Sequence, residues 1–301
     1  YGAGRGALAA AIVAGLRAEE SPLLEALRYQ PVELNEHRRA ELRRRLADAD
    51  AADHLAEPTE AAFTGAVIAN EFLDALPVHR VEWRAGGLLE VHVDWEEDGP
   101  VDRLGPPSSA ALAARLAAEG VTLEEGQRAE ICLALDGWVA EVGAVLKRGY
   151  VLVIDYGHPA SELYASRRRA GTLLAYREHG VEEDPYGAIG HQDLTSHVDL
   201  TALERAAAAH GLAALGSTSQ AEFLVGIGAA DILARWRADP AASLAGYAEL
   251  RAALRRMLDP RVTGGFRVVA FGRRVPAEPA LAGFGFAIDP GARGSARRSE
   301  R

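Results

Sequence analysis

The chain has 301 residues, of which 49% are hydrophobic and 25% charged, and its formal net charge is −10. This length can bury the core of one large domain or two small ones, and the negative charge disfavours nonspecific binding to nucleic acid or to an anionic membrane. A single cysteine, Cys132, excludes an internal disulfide and a cysteine-based metal cluster. Without a signal peptide or a membrane-spanning apolar run, a cytoplasmic location is favoured.

The chain opens on YGAGRG, where Gly2, Gly4 and Gly6 have the spacing G-x-G-x-G, and an amphipathic helix follows from Ala7. Glycines at such a junction let the backbone turn tightly and approach a ligand, and the helix N-terminus presents amide N–H groups to it. Alone, this is a weak signal, because glycine turns between strands and helices often bind nothing.

The stretch LRYQPVELN predicts a short strand ending at Glu33-Leu34, and a charged helix follows it. A carboxylate at the end of the next strand can accept both hydroxyls of a ribose. The alternative is an acid that only favours the dipole of the following helix. Together, the glycines and Glu33 predict a ligand that contains a nucleoside.

The clearest buried strand covers residues 66–69 in TGAVIANEFLDALP, followed at once by Asn70 and Glu71. Farther along, the sequence predicts a hairpin over 78–95, one long helix over 127–149 and a second buried strand that ends at Asp155-Tyr156-Gly157.

Residues 158–198 are polar and without clear periodicity, which is typical of functional or mobile segments. Helices follow, the first capped by Asp199, and GFRVVAFGRR predicts a final strand. Residues 276–301 are rich in Pro, Gly, Ala and Arg and are expected to be a disordered tail. The alternation of strands and helices indicates an α/β protein with a mainly parallel sheet.

The third glycine, at Gly6, matches a methyltransferase loop better than the G-x-G-x-x-G of NAD-binding folds. Seven segments carry a resemblance to one family: GAGRG, YQPVELN, VIANEFLDALPVHRV, VLVIDYGHPASELY, GTLLAYREH, QDLTSHVDLTAL and TSQAEFL. In this order, over about residues 1 to 272, the chain resembles the MidA family of S-adenosylmethionine-dependent methyltransferases, whose mitochondrial relatives assist assembly of respiratory complex I.

The resemblance implies a Rossmann-like methyltransferase domain over residues 1–275, with a mainly parallel sheet, an antiparallel last strand and an enlarged insertion at about 158–198. It implies S-adenosyl-L-methionine as the cofactor and a protein as the methyl acceptor, through arginine in the mitochondrial relatives. Family members carry a segment and a strand before the glycines. This sequence begins at Tyr1, so we expect an N-terminally shortened chain whose sheet lacks its central first strand.

Under this interpretation the catalytic candidates are Glu71, Asp74, Asp155 and His197. A guanidinium stays charged near neutral pH, so carboxylates must orient it, and Glu71 and Asp74 are three residues apart beyond a strand end. Asp155, with Tyr156, is expected to wall the acceptor side. His197 is either a base or only a hydrogen-bonding residue.

The cofactor candidates are Gly2, Gly4, Gly6, Glu33 and Asn70. Asn70 would bond either the amino-acid portion of the donor or the local backbone.

By residue type, Gln192, Asp193, His197 and Asp199 could bind a metal, but methyl transfer needs none and we expect none.

Two other functions stay open. One is a catalytically silent assembly or interaction protein that retains the fold, which the intact acids Glu33, Glu71 and Asp155 disfavour. The other is a nicotinamide-dependent oxidoreductase, which the glycine spacing disfavours.

Overall fold

The computed structural model describes residues 1–58, 61–177, 180–182, 184–238 and 243–285. The α-helices of this part of the chain are α1 (Ala7–Ala18), α2 (Leu23–Ala26), α3 (Glu36–Asp48), α4 (Ala110–Ala118), α5 (Ala134–Val145), α6 (Ala160–Leu163), α7 (Leu200–Ala209), α8 (Gln220–Gly226), α9 (Ala229–Ala238) and α10 (Leu244–Leu258). Short 3₁₀ turns cover Ala52–His54, Leu73–Ala75 and Ala282–Phe284. Within the described ranges, no helix is both long and apolar enough to span a bilayer.

The strands are β1 (Phe63–Asn70), β2 (His79–Arg84), β3 (Gly87–Glu96), β4 (Gly99–Gly105), β5 (Arg128–Ile131), β6 (Leu146–Asp155), β7 (Gly157–His158), β8 (Leu174–Arg177), β9 (Gly180–Glu182), β10 (Asp193–Thr195), β11 (Val198–Asp199), β12 (Ala213–Ser219) and β13 (Arg267–Arg273). They form a central sheet ordered β1-β6-β13-β12, a second sheet ordered β4-β3-β2-β5, a small sheet ordered β10-β8-β9, and the pair β11-β7.

The central sheet is mixed. Strand β1 pairs in parallel with β6, whereas β13 lies antiparallel between β6 and β12. The predicted α/β class and antiparallel last strand are therefore confirmed, while the mainly parallel sheet is confirmed only in part. Because β1 and β6 run in the same direction, Asn70 and Asp155 end at the same edge of the sheet.

Both faces of the central sheet are covered where β6 and β13 lie. Val151 and Val153 face the core made with α5 and α7, and their neighbours Leu152 and Ile154 pack towards Phe284 on the other face. At β1, only Val67 and Ala69 are buried and Ala66 is exposed, so the continuous burial predicted for 66–69 is wrong. Successive side chains of a strand point to opposite faces, and one face of β1 stays partly open.

The second sheet confirms the predicted hairpin, with Ala85 and Gly86 both in the left-handed region that a two-residue hairpin turn requires. The single long helix predicted over 127–149 is confirmed only in its middle part, where α5 covers Ala134–Val145. Its first part is β5, which pairs with β2, and its last residues belong to β6. Ala129 and Ile131 are buried under α4, so long-range pairing outweighs the local helix preference.

The strand predicted before Glu33 is also wrong. Tyr29 makes one isolated parallel bridge to Leu55, and residues 31–34 form a loop that leads to α3. A strand needs several consecutive residues paired with a neighbouring strand, and this segment has one isolated bridge instead. At the other end, Phe284 packs against the central sheet, so residues up to 285 of the expected tail are placed, and residues 286–301 lie outside the described residues.

Alanine substitutions at two glycines distinguish the effect of tight backbone packing on stability from the effect of helix propensity. A Cβ at Gly149, where φ is +142°, would lie 1.8 Å from the carbonyl oxygen of Gly65 in β1, so Gly149→Ala is expected to destabilise the fold by about 3 kcal/mol or more. The control is Gly137→Ala in α5, where no atom lies within 4 Å, which should stabilise by about 0.5–1 kcal/mol. Urea unfolding measures the change in the free energy of unfolding for both variants. Equal changes would show that the β1–β6 contact is looser than described.

Candidate functional site

The glycine loop has one open side. All three glycines have positive φ, but a Cβ at Gly2 would lie 3.1 Å from the Phe72 ring, and one at Gly6 would lie 2.8 Å from the Leu42 side chain. A Cβ at Gly4 would meet only the Gly2 carbonyl oxygen, at 3.9 Å. Gly2 and Gly6 therefore pack against the protein, and Gly4 is the position at which a ligand can approach the backbone.

Glu33 lies against this loop. The Gly4 N–H donates to its Oε2 at 2.8 Å, and the Asn35 N–H donates to its Oε1 at 2.9 Å. The cap of α3 is Asn35, whose side chain accepts from the Arg38 N–H at 3.0 Å, so Glu33 is not the capping residue. Each carboxylate oxygen keeps one further lone pair, which leaves two acceptors for a pair of hydroxyls.

The turn after β1 lies next to the glycine loop. The Glu71 N–H donates to the Ile154 carbonyl at 2.9 Å, and Glu71 itself has a φ of 47°, an uncommon conformation for a residue with a side chain. The Asn70 amide lies 3.4 Å from the Glu71 carboxylate. Since Gly2 packs against Phe72, the structure brings the glycine loop, Glu33 and Glu71 to one edge of the central sheet.

Asp155 holds that turn from the neighbouring strand. It is only 1% exposed, and its Oδ2 accepts from the N–H groups of Phe72, Leu73 and Asp74 at 3.2, 2.9 and 3.3 Å. Its Oδ1 accepts from the Tyr156 N–H at 2.9 Å. Asp155 was expected to wall the acceptor side; in the structure its two oxygens are occupied by backbone N–H groups, and it anchors the turn.

Asp74 is a second buried acid beside Asp155. It is 5% exposed, its Oδ2 accepts from the Tyr156 hydroxyl, and its Oδ1 is buried without a hydrogen-bond partner among the described residues. Burial raises the pKa of Asp74, and burial together with Asp74 raises the pKa of Glu71. Burial and Asp74 also raise the pKa of Tyr156, so this hydroxyl stays a donor.

His197 lies on the other side of Tyr156. Its ring centroid is 5.4 Å from that of Tyr156, in an edge-to-face contact, and 5.3 Å from that of His158, in a stack. The backbone N–H of His197 donates to the Thr172 hydroxyl at 3.1 Å. Its Nδ1 is buried and has no partner in the described part of the chain, and burial, with His158 and Arg168, lowers its pKa to about 4.

The other polar residues near His197 have separate partners. Asp199 caps α7 and accepts from the Tyr164 hydroxyl, whereas Gln192 donates to the Pro185 carbonyl at 2.7 Å. Over the described ranges, no group of three His, Cys, Asp or Glu side chains could hold a metal ion.

Comparison with known proteins decides the family. The model of a family of S-adenosyl-L-methionine-dependent methyltransferases matches residues 1–218. The chain belongs to this family. S-adenosyl-L-methionine is accordingly its cofactor, as the sequence resemblance implied.

The relatives in this family include a solved structure and curated enzymes. A COG1565 superfamily member from Burkholderia thailandensis, bound to S-adenosyl-homocysteine, is 33% identical, with a TM-score of 0.87 over 97% of this chain and 74% of that one. The mitochondrial protein arginine methyltransferase NDUFAF7 of Rattus norvegicus is 30% identical over 166 residues, and that of Danio rerio is 30% identical over 172. These matches cover 54% of this chain and 35% and 36% of those proteins, so the chain spans about a third of their length.

Sequence reasoning missed three polar contributors. His158 stacks on His197, Thr172 holds its backbone, and Thr195 lies within hydrogen-bonding reach of the Tyr156 hydroxyl. His158 follows directly after the strand end at Asp155-Tyr156-Gly157, which was the available signal. Thr172 and Thr195 lie in the irregular segment, where no periodicity points to them.

The low pKa of His197 predicts an acid-sensitive fold. The imidazole takes up a proton near pH 6.5 when unfolded and near pH 4 when folded, so its contribution to stability is present above pH 6.5 and is lost as the pH falls towards 4. Urea unfolding at about pH 7.5 and pH 4.5 gives the loss of the free energy of unfolding on acidification. We expect this loss to be smaller in His197→Gln than in wild type, by on the order of 2 kcal/mol. His191→Gln, at an exposed histidine, is the control and should follow wild type. Equal acid losses in wild type and His197→Gln would contradict the burial of this ring.

Proposed function

We propose that this protein binds S-adenosyl-L-methionine at the glycine loop and transfers its methyl group to a protein side chain, with arginine as the acceptor. The observation that carries the proposal is the meeting of the glycine loop, Glu33 and the Glu71–Asp74 turn at one edge of the sheet. The acceptor is inferred from the relatives named as protein arginine methyltransferases and from the two acids.

The cofactor side is built from Gly4, Glu33 and the start of α1. The open side of Gly4 lets the backbone approach the ligand, and the two remaining lone pairs of Glu33 suit the two ribose hydroxyls. The N-terminus of α1, after Gly6, favours the carboxylate of the methionine portion. Asn70 would bond the same portion through its amide. When bound, the cofactor supplies a methyl group activated by a sulfonium.

The acceptor side is built from Glu71, Asp74 and Tyr156. A guanidinium is charged at neutral pH, so two carboxylates both orient it and offset its charge. The unpaired Oδ1 of Asp74 is an acceptor for one guanidinium N–H, and the Tyr156 hydroxyl fixes the carboxylate that carries it. The nitrogen that receives the methyl group gives a proton to Glu71 or Asp74, whose raised pKa values make them better bases.

Asp155 and His197 act from behind this acceptor pocket. Asp155 positions Asp74 through the backbone of the turn, and we assign it no contact with substrate. His197, neutral at pH 7, offers an unpaired Nδ1 beside Tyr156 for a polar group of the acceptor. A cytoplasmic location stays a prediction based on the sequence, while the curated relatives are named as mitochondrial.

Two measurements test the proposal together. Calorimetric titration with S-adenosyl-homocysteine should give one site per chain, and mass spectrometry of the native proteome with and without the gene should show a lost methyl-arginine. Binding without any loss of methylation would favour the catalytically silent alternative. Absence of both heat and thermal shift would remove the proposal.

Glu33 is expected to control cofactor affinity. Glu33→Gln removes the charge that strengthens its hydrogen bonds, so the Kd for S-adenosyl-homocysteine should rise about tenfold or more. Glu36→Gln, whose side chain is 90% exposed on the first turn of α3, is the matched control and should change the Kd less than about twofold. Similar changes in both variants would mean that Glu33 does not contact the ligand.

The two acids are expected to act on the chemical step. Asp74→Asn should lower kcat by about 10² to 10⁴, with the Kd for S-adenosyl-homocysteine unchanged, and the exposed Glu25→Gln is the control. Because Asp74 raises the pKa of Glu71, removing its charge should also lower that pKa, so the acid limb of the kcat profile should move to lower pH. An acid limb that stays in place in Asp74→Asn would contradict the coupling of the two groups.

A further inference from the structure

An apolar groove lies beside the acceptor pocket, between the β3–β4 hairpin and residues 185–194. It has a volume of about 290 Å³. The large side chains that line it are Val93, Trp95, Pro100, Tyr186, Ile189 and Leu194. Trp95 is 70% exposed and Val93 and Ile189 are more than half exposed, although a tryptophan is one of the side chains that gain most from burial. A cluster of this kind on a protein surface indicates a site of interaction.

Strand β10 connects this groove to the proposed acceptor pocket. Leu194, in the middle of the strand, lines the groove. Its neighbour Thr195 reaches the Tyr156 hydroxyl, and the Ser196 N–H donates to the Asp74 carbonyl at 3.0 Å. Because successive side chains of a strand point to opposite faces, one short strand contributes to the groove with one face and to the acid site with the other.

The rim of the groove is acidic. The tip of the β3–β4 hairpin carries Asp94, Glu96, Glu97 and Asp98, and the one basic residue of that hairpin, Arg103, is already paired with Asp94 and Glu96.

The segment on the other side of the groove adds Asp184 and Asp193, whereas Glu182 is paired with Arg177. Arg80, near the groove, forms an ion pair with Asp102 and donates to the Tyr186 hydroxyl at 2.6 Å, so its charge is offset too. The groove therefore joins an apolar floor to a negative border, which suits a peptide that is both apolar and basic.

We propose that this groove docks an apolar stretch of the protein substrate, flanked by basic residues, while the acceptor side chain of the same segment enters between Glu71 and Asp74. The inference rests on the proposed methyltransferase function. It gives the substrate a recognition element separate from the methylated residue. The aromatic floor supplies the affinity, and the acidic border selects for positive charge and against acidic segments.

The test uses short synthetic peptides that each contain one arginine. In one peptide two leucines flank the arginine at a chosen spacing, and in its partner two serines replace them, so that charge and length are equal. Over a series of spacings, we expect one leucine peptide to be methylated with a KM at least about tenfold below that of its serine partner. Added salt should raise the KM of the leucine peptide, since the border is charged.

Variants locate the effect in the groove. Trp95→Ser and Leu194→Ser should each raise the KM of the leucine peptide to that of the serine peptide, with the Kd for S-adenosyl-homocysteine unchanged. Leu244→Ser is the matched control, because it removes a leucine that is 85% exposed on α10, outside the groove, and it should leave the leucine advantage intact.

Each other outcome overturns the inference in a recognisable way. Methylation of both peptides with equal KM, or a leucine advantage that survives Trp95→Ser, would show that the groove is not the docking site. If sedimentation shows a dimer that Trp95→Ser dissociates, a second copy of the chain occupies the groove instead. If the cofactor does not bind and no peptide is methylated, the proposed function fails, and calorimetric binding of the leucine peptide alone, with and without Trp95→Ser, decides the groove separately.

Discussion

The site depends on one buried carboxylate that spans two strands. Asp155, at the end of β6, accepts three backbone N–H groups from the turn that follows β1. The parallel register of β1 and β6 brings these strand ends together, and the hydrogen bonds to the carboxylate then hold the turn in place. This anchor acts together with the Glu71 N–H bond to the Ile154 carbonyl and the Tyr156 hydroxyl bond to Asp74, which hold the same turn.

That anchor also concentrates negative charge where it is costly. Asp74 and Asp155 are buried, Glu71 lies beside Asp74 with its side chain more exposed, and each of the three has a raised pKa. Burying like charges disfavours the ionised forms, so a cation entering the cleft would restore ionisation and gain the interaction at once. The unpaired Oδ1 of Asp74 indicates the same preference, since a buried acceptor without a partner favours a ligand that donates to it.

The sequence made parts of this arrangement predictable. Polar residues that directly follow buried strands, such as Asn70 and Glu71, were found because parallel strands bring such ends to one edge. The partner of Glu33 was not predictable, since its loop is set by contacts with Gly4 and not by a strand. The helix predicted over 127–149 begins only at Ala134, because the first residues form β5 and its pairing with β2 depends on residues far away in the chain. For the same reason the anchoring contacts of Asp155 were not predictable, since the three N–H groups that donate to its Oδ2 lie more than 80 residues earlier.

The second sheet is formed within the connection between β1 and β6. Its strand β2 begins a few residues after the Leu73–Ala75 turn that carries Asp74, which places this sheet next to the acids in the chain. Residues 184–195 pack between the β3–β4 hairpin and the Leu73–Ala75 turn, and β10 contacts both sides. A substrate segment lying on the hairpin would therefore press on the strand that supports Tyr156 and Asp74. Under the proposed docking, binding energy from the apolar groove would help to order the acceptor pocket, as contacts remote from the reacting atoms can raise the rate of a chemical step.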